Sequence, residues 1–136
     1  MKKILATLNL RFEQDVVLAR QRAREISDLL GFDHSEQIRL ATATSEIARN
    51  AFRYAKAGHV EFQVESDAPA RLLIKVSDSG SGIQNLNEIQ EGRYQSTTGL
   101  GKGIIGTQRL MDSFKIETGA EGTVIEMSKV LPKYAP

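Results

Sequence analysis

A chain of 136 residues, 40 % of them apolar, is long enough to bury one core. Its 18 basic and 17 acidic side chains leave a net charge of +1, so no overall field draws it to nucleic acid or to an anionic membrane. Cysteine is absent, which excludes disulfides and thiolate metal sites.

In chain order, Ile4 to Leu10 alternates in part and is bounded by charge, which predicts a short strand at a sheet edge. Glu13 to Leu30 carries Val16, Ala19, Ala23, Ile26 and Leu30 at helical spacing, with Gly31 as its C-terminal cap. Asp33 or Ser35 caps a second helix, Ser35 to about Ala57, which ends at Gly58. Its small residues, Ala41, Ala48, Ala51 and Ala55, allow another element to approach closely. His59 to Ser66 then alternates Val60, Phe62 and Val64 with Glu61, Gln63 and Glu65, the pattern of a strand with one wet face. The turn Asp67-Ala68-Pro69-Ala70 leads into a strand from Arg71 to Val76, so the two should form a hairpin. A helix from Ile105 to Met111 and strands at Phe114 to Thr118 and Thr123 to Val130 complete the chain. This order predicts a two-layer α/β (α+β) sandwich, a mixed and largely antiparallel sheet with helices on one face. One domain is expected over 1–131, with 132–136 a tail or a truncated linker. No apolar run approaches membrane-spanning length, and Asn9, Arg11 and Glu13 interrupt any signal-like core, so the expectation is a soluble cytoplasmic domain.

Two glycine clusters stand out. Asp78-Ser79-Gly80-Ser81-Gly82 follows the apolar run into Val76, and Gly99-Leu100-Gly101-Lys102-Gly103 precedes the third helix. Glycine lets backbone amides approach a ligand, and amides opening onto a helix N-terminus suit phosphate. The same glycines read equally well as turn punctuation. On the second helix, Glu46 and Asn50 are four residues apart and share a face. Taken alone, Glu46 reads most simply as the ion-pair partner of Arg49 or Arg53. Neither His34 nor His59 has a companion at metal-ligand spacing, and neither is assigned a metal.

Taken together and in order, these stretches resemble a known superfamily, the GHKL (Bergerat-fold) ATPases. Glu46-Ile47-Ala48-Arg49-Asn50-Ala51 looks like its N box, and Asp78-Ser79-Gly80-Ser81-Gly82 like its G1 box. Gly99-Leu100-Gly101-Lys102-Gly103 looks like its G2 box, and Gly122-Thr123 like its closing motif. Within the superfamily the likeness is to small bacterial anti-sigma-factor and stressosome-switch serine/threonine kinases. It is carried by Thr42-Ala43-Thr44-Ser45-Glu46, Arg109-Leu110-Met111-Asp112 and the short lid Gln84 to Thr98.

The resemblance implies ATP and Mg²⁺ as cofactors and a role for each box. Asp78 would accept a hydrogen bond from the adenine amino group, and Gly80 and Gly82 would let base and ribose lie against backbone. Thr123 would add a hydroxyl near the base, although a β-branched strand residue needs no such role. Asn50 would help hold Mg²⁺, and Glu46 would be the general base. Gly99, Leu100, Gly101 and Gly103 would present amides to the phosphates. Lys102 reads either as a point charge there or as a solvated lid residue. Arg49 reads as a contact for nucleotide or partner, or more simply as an ion-pair partner on its own helix.

The lid would order over bound nucleotide. No dimerising hairpin with a phosphohistidine precedes the site, so the implied acceptor is a serine or threonine on a STAS-type antagonist protein. A sigma factor or a downstream phosphatase is the implied second partner. Many such kinases are dimers, for which the first strand and first helix would serve. Two other readings stand beside the kinase: a nucleotide-gated binding module without phosphotransfer, and the ATP-binding fragment of a larger signalling kinase.

Overall fold

A computed structural model describes residues 1–55, 57–80 and 100–132, with the backbone alone at 54 and 100–103. Its elements are β1 (Lys2–Leu10), α1 (Glu13–Leu29), α2 (His34–Ala55), β2 (Gly58–Glu65), β3 (Arg71–Asp78), an α3 helix (Leu100–Leu110), β4 (Ser113–Gly119) and β5 (Gly122–Val130). The strands form one sheet in the order β1-β2-β3-β5-β4. The two-layer arrangement is as expected, but the sheet is not mixed: each of its four pairings runs antiparallel, because β5 returns beside β3 in the opposite direction. β1 is an edge strand, as its short charged flanks predict. β5 inserts between β3 and β4, which brings its first residues beside the end of β3. No helix among the described residues is long and apolar enough to cross a membrane.

Alternation decides the two faces of the sheet. Leu72, Ile74 and Val76 of β3, Val60 and Phe62 of β2, and Ile125 and Met127 of β5 share the face that meets the helices. Phe62, Ile74 and Met127 are fully buried there. Each such side chain stabilises the fold by roughly 1.5–3 kcal/mol through area removed from water. From the helix layer, α1 contributes Ala19 and Ala23, and α2 contributes Leu40, Ile47 and Ala48. Lys129 continues the inward row of β5 and would be a costly charge to bury alone. Its ammonium pairs with Glu36 in the first turn of α2, which ties the end of β5 to the start of that helix.

The outer face is polar and self-neutralising. Register places Glu61 beside Lys75, Lys75 beside Glu126 and Glu126 beside Lys115, an alternating row across four strands. A shorter row runs Lys2, Glu65, Arg71. Leu73 and Ser128 lie on this face and are nevertheless buried, Ser128 with its hydroxyl against that of Ser113.

The helix ends follow local chemistry. α1 closes in a Schellman motif: Phe32 N–H donates to Ser27 O, Gly31 N–H donates to Asp28 O, and Gly31 takes φ +90°. Asp33, rather than Ser35, caps α2 through its Oδ1, which accepts from Glu36 N at 2.8 Å. At the start of α1, Asp15 Oδ2 accepts from the backbone N–H groups of Arg11 and Phe12, each at 2.8 Å. Those two donors hold its carboxyl below the ordinary carboxylate range. A native value below the unfolded one means the contribution is present above the unfolded value, about 4, and is lost as pH falls through the native one. Asp15→Ala should therefore lower the urea midpoint at neutral pH, and the gap from wild type should close in acid. An equal gap at neutral and acid pH would disprove this.

The third helix departs from expectation. It begins at Leu100, not Ile105, so the residues from Leu100 to Gly103 form its first turn rather than a free loop. Glycine disfavours helix, but Ile104 and Thr107 are buried one turn apart and α3 packs against α2. Tertiary packing overrides propensity here.

Candidate functional site

The site is built where the end of β3, the start of β5 and the C-terminal half of α2 converge. Asp78 is the last residue of β3 and lies opposite Thr123. Its Oδ1 accepts from Gly80 N at 3.0 Å and from Thr123 N at 3.3 Å. One carboxylate oxygen thus fastens the loop after β3 and the start of β5. The other oxygen, Oδ2, takes part in neither bond. Thr123 is buried, and its hydroxyl is 2.8 Å from that of Thr118 on β4.

Gly122 makes this junction possible. It has φ +140°, and a Cβ there would stand 2.1 Å from the carbonyl oxygen of Asp78. α2 is fitted to the same end through its small side chains. A Cβ on Gly80 would meet Ala55 Cβ at 2.9 Å, and one on Gly58 would meet Ala51 Cβ at 3.2 Å. Of the four alanines that the sequence marks as permitting close approach, Ala51 and Ala55 do so here. Asn50 adjoins Ala51 on the same helix.

Asn50 and Glu46 differ in their surroundings. Asn50 Nδ2 is buried without a hydrogen-bond partner. Buried polar groups are rarely left unpaired, so this orphaned donor singles out the Asn50 carboxamide. Glu46, one turn earlier, has a side chain 38 % exposed, and its Oε1 accepts from Arg49 Nη1 at 2.8 Å. Arg49 Nη2 lies 3.5 Å from Ser45 Oγ. The simple ion-pair reading of Glu46 and Arg49 is thus realised, and it leaves Glu46 Oε2 outside that pair.

Among the described residues no three His, Cys, Asp or Glu side chains gather in a way that would hold a metal ion. A cation at Asn50 would take the rest of its ligands from phosphate and water, a mode that suits Mg²⁺. Asn50 fits it, with a hard, neutral carboxamide oxygen in a group that lacks a partner at its other end.

Of the sequence-marked residues, the structure brings Asp78, Gly80 and Thr123 together and sets Glu46 and Asn50 one turn apart on the helix that packs on them. Leu100, Gly101, Lys102 and Gly103 open α3, which lies against α2. Gly82, Gly99 and the lid from Gln84 to Thr98 lie outside the described residues. Ala55 was marked only as a small residue open to close approach, and its specific partner, Gly80, comes from the structure. The signal for close approach was present, since Ala48, Ala51 and Ala55 recur at helical spacing.

The junction of Asp78 with Gly80 and Thr123 also yields a prediction. Asp78→Asn keeps an oxygen for the two backbone donors but turns an NH₂ toward the ligand. If an adenine amino group docks there, two donors face each other, and ATP affinity should fall about ten- to hundredfold with GTP little changed. Isothermal titration with both nucleotides checks this; equal losses for both would disprove it.

A strand-end carboxylate bonded to a glycine loop, a helix bearing Glu-x-x-x-Asn and a glycine-opened helix beside it define a nucleotide-site architecture that comparison identifies. Residues 10–129 match the histidine kinase-like ATPase domain family, and the chain belongs to that family. It is 39 % identical over 121 residues to the serine/threonine-protein kinase RsbT of Bacillus subtilis (strain 168), covering 88 % of this chain and 91 % of that one. Among solved structures, the RsbU and RsbW domains of Rv1364c from Mycobacterium tuberculosis superpose with a TM-score of 0.65 at 21 % identity. That alignment covers 93 % of this chain and 32 % of the longer one. The SiaB–SiaC complex from Pseudomonas aeruginosa gives 0.59 at 13 % identity, over 93 % of this chain and 90 % of that one. At such identities the structural likeness is one of fold.

Proposed function

We propose that this chain is an ATP-dependent protein serine/threonine kinase that phosphorylates a STAS-type antagonist in a bacterial partner-switching pathway controlling a sigma factor or stress signalling. The observation that carries the reading is the half-exposed Glu46 carboxylate one turn before the buried, unpartnered amide of Asn50. A module that only bound nucleotide would need no base at that position. The relative named as a serine/threonine-protein kinase, similar over most of both chains, supports the same reaction class.

In this reading Asp78 Oδ2 accepts from the adenine amino group, and Gly80 and Gly82 let the base and ribose lie against backbone. Thr123 packs beside the base. Amides of Gly99 and of Leu100, Gly101 and Gly103 at the start of α3 face the phosphates, where orphan N–H groups of a first helical turn favour anions. Lys102 adds a point charge. Asn50 holds Mg²⁺, which when bound screens the charge of the phosphates. The acceptor hydroxyl oxygen bonds to the γ-phosphorus as the bond from phosphorus to the bridging oxygen breaks. ADP leaves with that electron pair, and the hydroxyl proton passes to Glu46.

A sigma factor or a downstream phosphatase is the proposed second partner. A homodimer is proposed through β1 and α1, where Ile4, Phe12 and Val17 are more than half exposed. Sedimentation equilibrium at micromolar concentration tests it, and a monomer throughout would remove the dimer from the scheme.

The kinase itself is tested by mixing the protein with Mg-ATP and STAS-type antagonists from the same genome, then locating phosphate by mass spectrometry. Phosphoserine or phosphothreonine on one antagonist is the expected result. ATP binding that depends on Asp78 without transfer would favour the nucleotide-gated binding module. No ATP binding would overturn the reading.

A further inference from the structure

We propose that Arg49 is a positioning residue for Glu46: its guanidinium, forked between the Glu46 carboxylate and the Ser45 hydroxyl, holds the carboxylate in the orientation that receives the acceptor's proton. The inference rests on the kinase reading above and assigns a role to a residue that reading leaves idle.

The geometry is that of a fork. Nη1 donates to Glu46 Oε1 at 2.8 Å, and Nη2 stands 3.5 Å from Ser45 Oγ. Ser45 is only 8 % exposed, so it is an anchor rather than a second mobile group. The glutamate and arginine side chains are 38 % and 48 % exposed. A half-exposed pair three residues apart on a helix adds little to stability. Its effect is on orientation. A glutamate has three rotatable bonds, and a general base must meet its proton within hydrogen-bond reach. A planar guanidinium that touches two neighbours restricts those rotations, whereas an ammonium on a flexible stem reaches one. Binding Oε1 leaves Oε2 to act. Arg49 adjoins Asn50, so the alternative role for its charge is direct contact with the phosphates. The two roles divide cleanly in kinetics.

The test uses the full chain, Mg-ATP and the STAS-type acceptor that the transfer assay identifies. With Arg49→Gln, kcat should fall about tenfold while KM for ATP stays within about twofold, since a misaligned base slows the transfer without weakening the nucleotide. Arg49→Lys should restore part of the loss. In a Glu46→Gln background, Arg49→Gln should cost nothing further, because a residue acting through Glu46 has nothing left to position. Melting temperatures of all variants should stay close to that of wild type.

A tenfold rise in KM with kcat unchanged would make Arg49 a phosphate ligand and overturn the proposal. So would an unchanged kcat, or an equal further loss in the Glu46→Gln background. Loss of transfer in Glu46→Gln with none in Arg49→Gln sinks this inference alone. Wild-type transfer by Glu46→Gln, or no transfer by the wild type, sinks the kinase mechanism and this inference with it.

Discussion

Glu46→Gln should lower phosphotransfer by about 10²–10⁴-fold and leave ATP affinity within about twofold of wild type. The substitution keeps the side chain's length and one oxygen for Arg49, so the helix and its ion-pair geometry are little disturbed. What it removes is the capacity to take a proton. Glu46 lies on the half-exposed side of α2, while the anchors proposed for the nucleotide, Asp78 and Asn50, are separate groups. Loss of turnover with retained binding is therefore the signature of a base. Single-turnover transfer assays and calorimetry with ATP measure the two quantities independently. A tenfold loss of ATP affinity alongside turnover would instead place Glu46 among the nucleotide ligands. Full activity would remove it from the chemistry.

Gly122→Ala should be the most damaging glycine-to-alanine change among the described glycines. The added Cβ would sit 2.1 Å from Asp78 O and 2.9 Å from Ser79 Cα, both backbone atoms, at a φ of +140° that L-residues rarely adopt. Backbone cannot swing aside as a side chain does, so either β5 leaves its register or the end of β3 moves. The expected cost is about 2–4 kcal/mol, or a fall of roughly 7–15 °C in melting temperature. Because Asp78 is the residue displaced, ATP affinity should drop more than tenfold in whatever fraction stays folded. Gly119 pairs with Gly122 across the same turn, and a Cβ there meets nothing within 4 Å. Gly119→Ala is thus the control and should melt near wild type. Similar melting of the two variants would show that the close approach at Gly122 is relieved at little cost.

Much of this architecture was legible because period and punctuation agreed. The alternation from Val60 to Glu65 marked both faces of β2, and Gly31 marked the end of α1 at the residue that takes positive φ. Asp78, Gly80 and Thr123 were marked separately and prove to be hydrogen-bonded neighbours. Other features lie beyond local pattern. Nothing in the residues of β5 says that it inserts between β3 and β4, since strand order is set by global packing. The early start of α3 was hidden because its first turn is glycine-rich and owes its helix to contact with α2. Lys129 shares the inward row of Thr123, Ile125 and Met127, and only the position of Glu36 explains a charge there. The spacing of Glu46 and Arg49 permits an ion pair, but the contact with Ser45 requires the side-chain geometry.

The alternating rows on the outer sheet face have a kinetic consequence. Glu61, Lys75, Glu126 and Lys115 cancel within neighbouring strand spacings, shorter than the roughly 8–10 Å over which physiological salt screens a charge. Seen by an approaching molecule, that side of the protein has almost no sign. Among the described residues, diffusional encounters are then oriented mainly by the helix side, and the ionic-strength dependence of an association rate reports chiefly on the face that carries Glu46 and Arg49. Reversing one rung, as in Lys75→Glu, would give the silent side a negative field and draw basic molecules to the wrong face without touching the site.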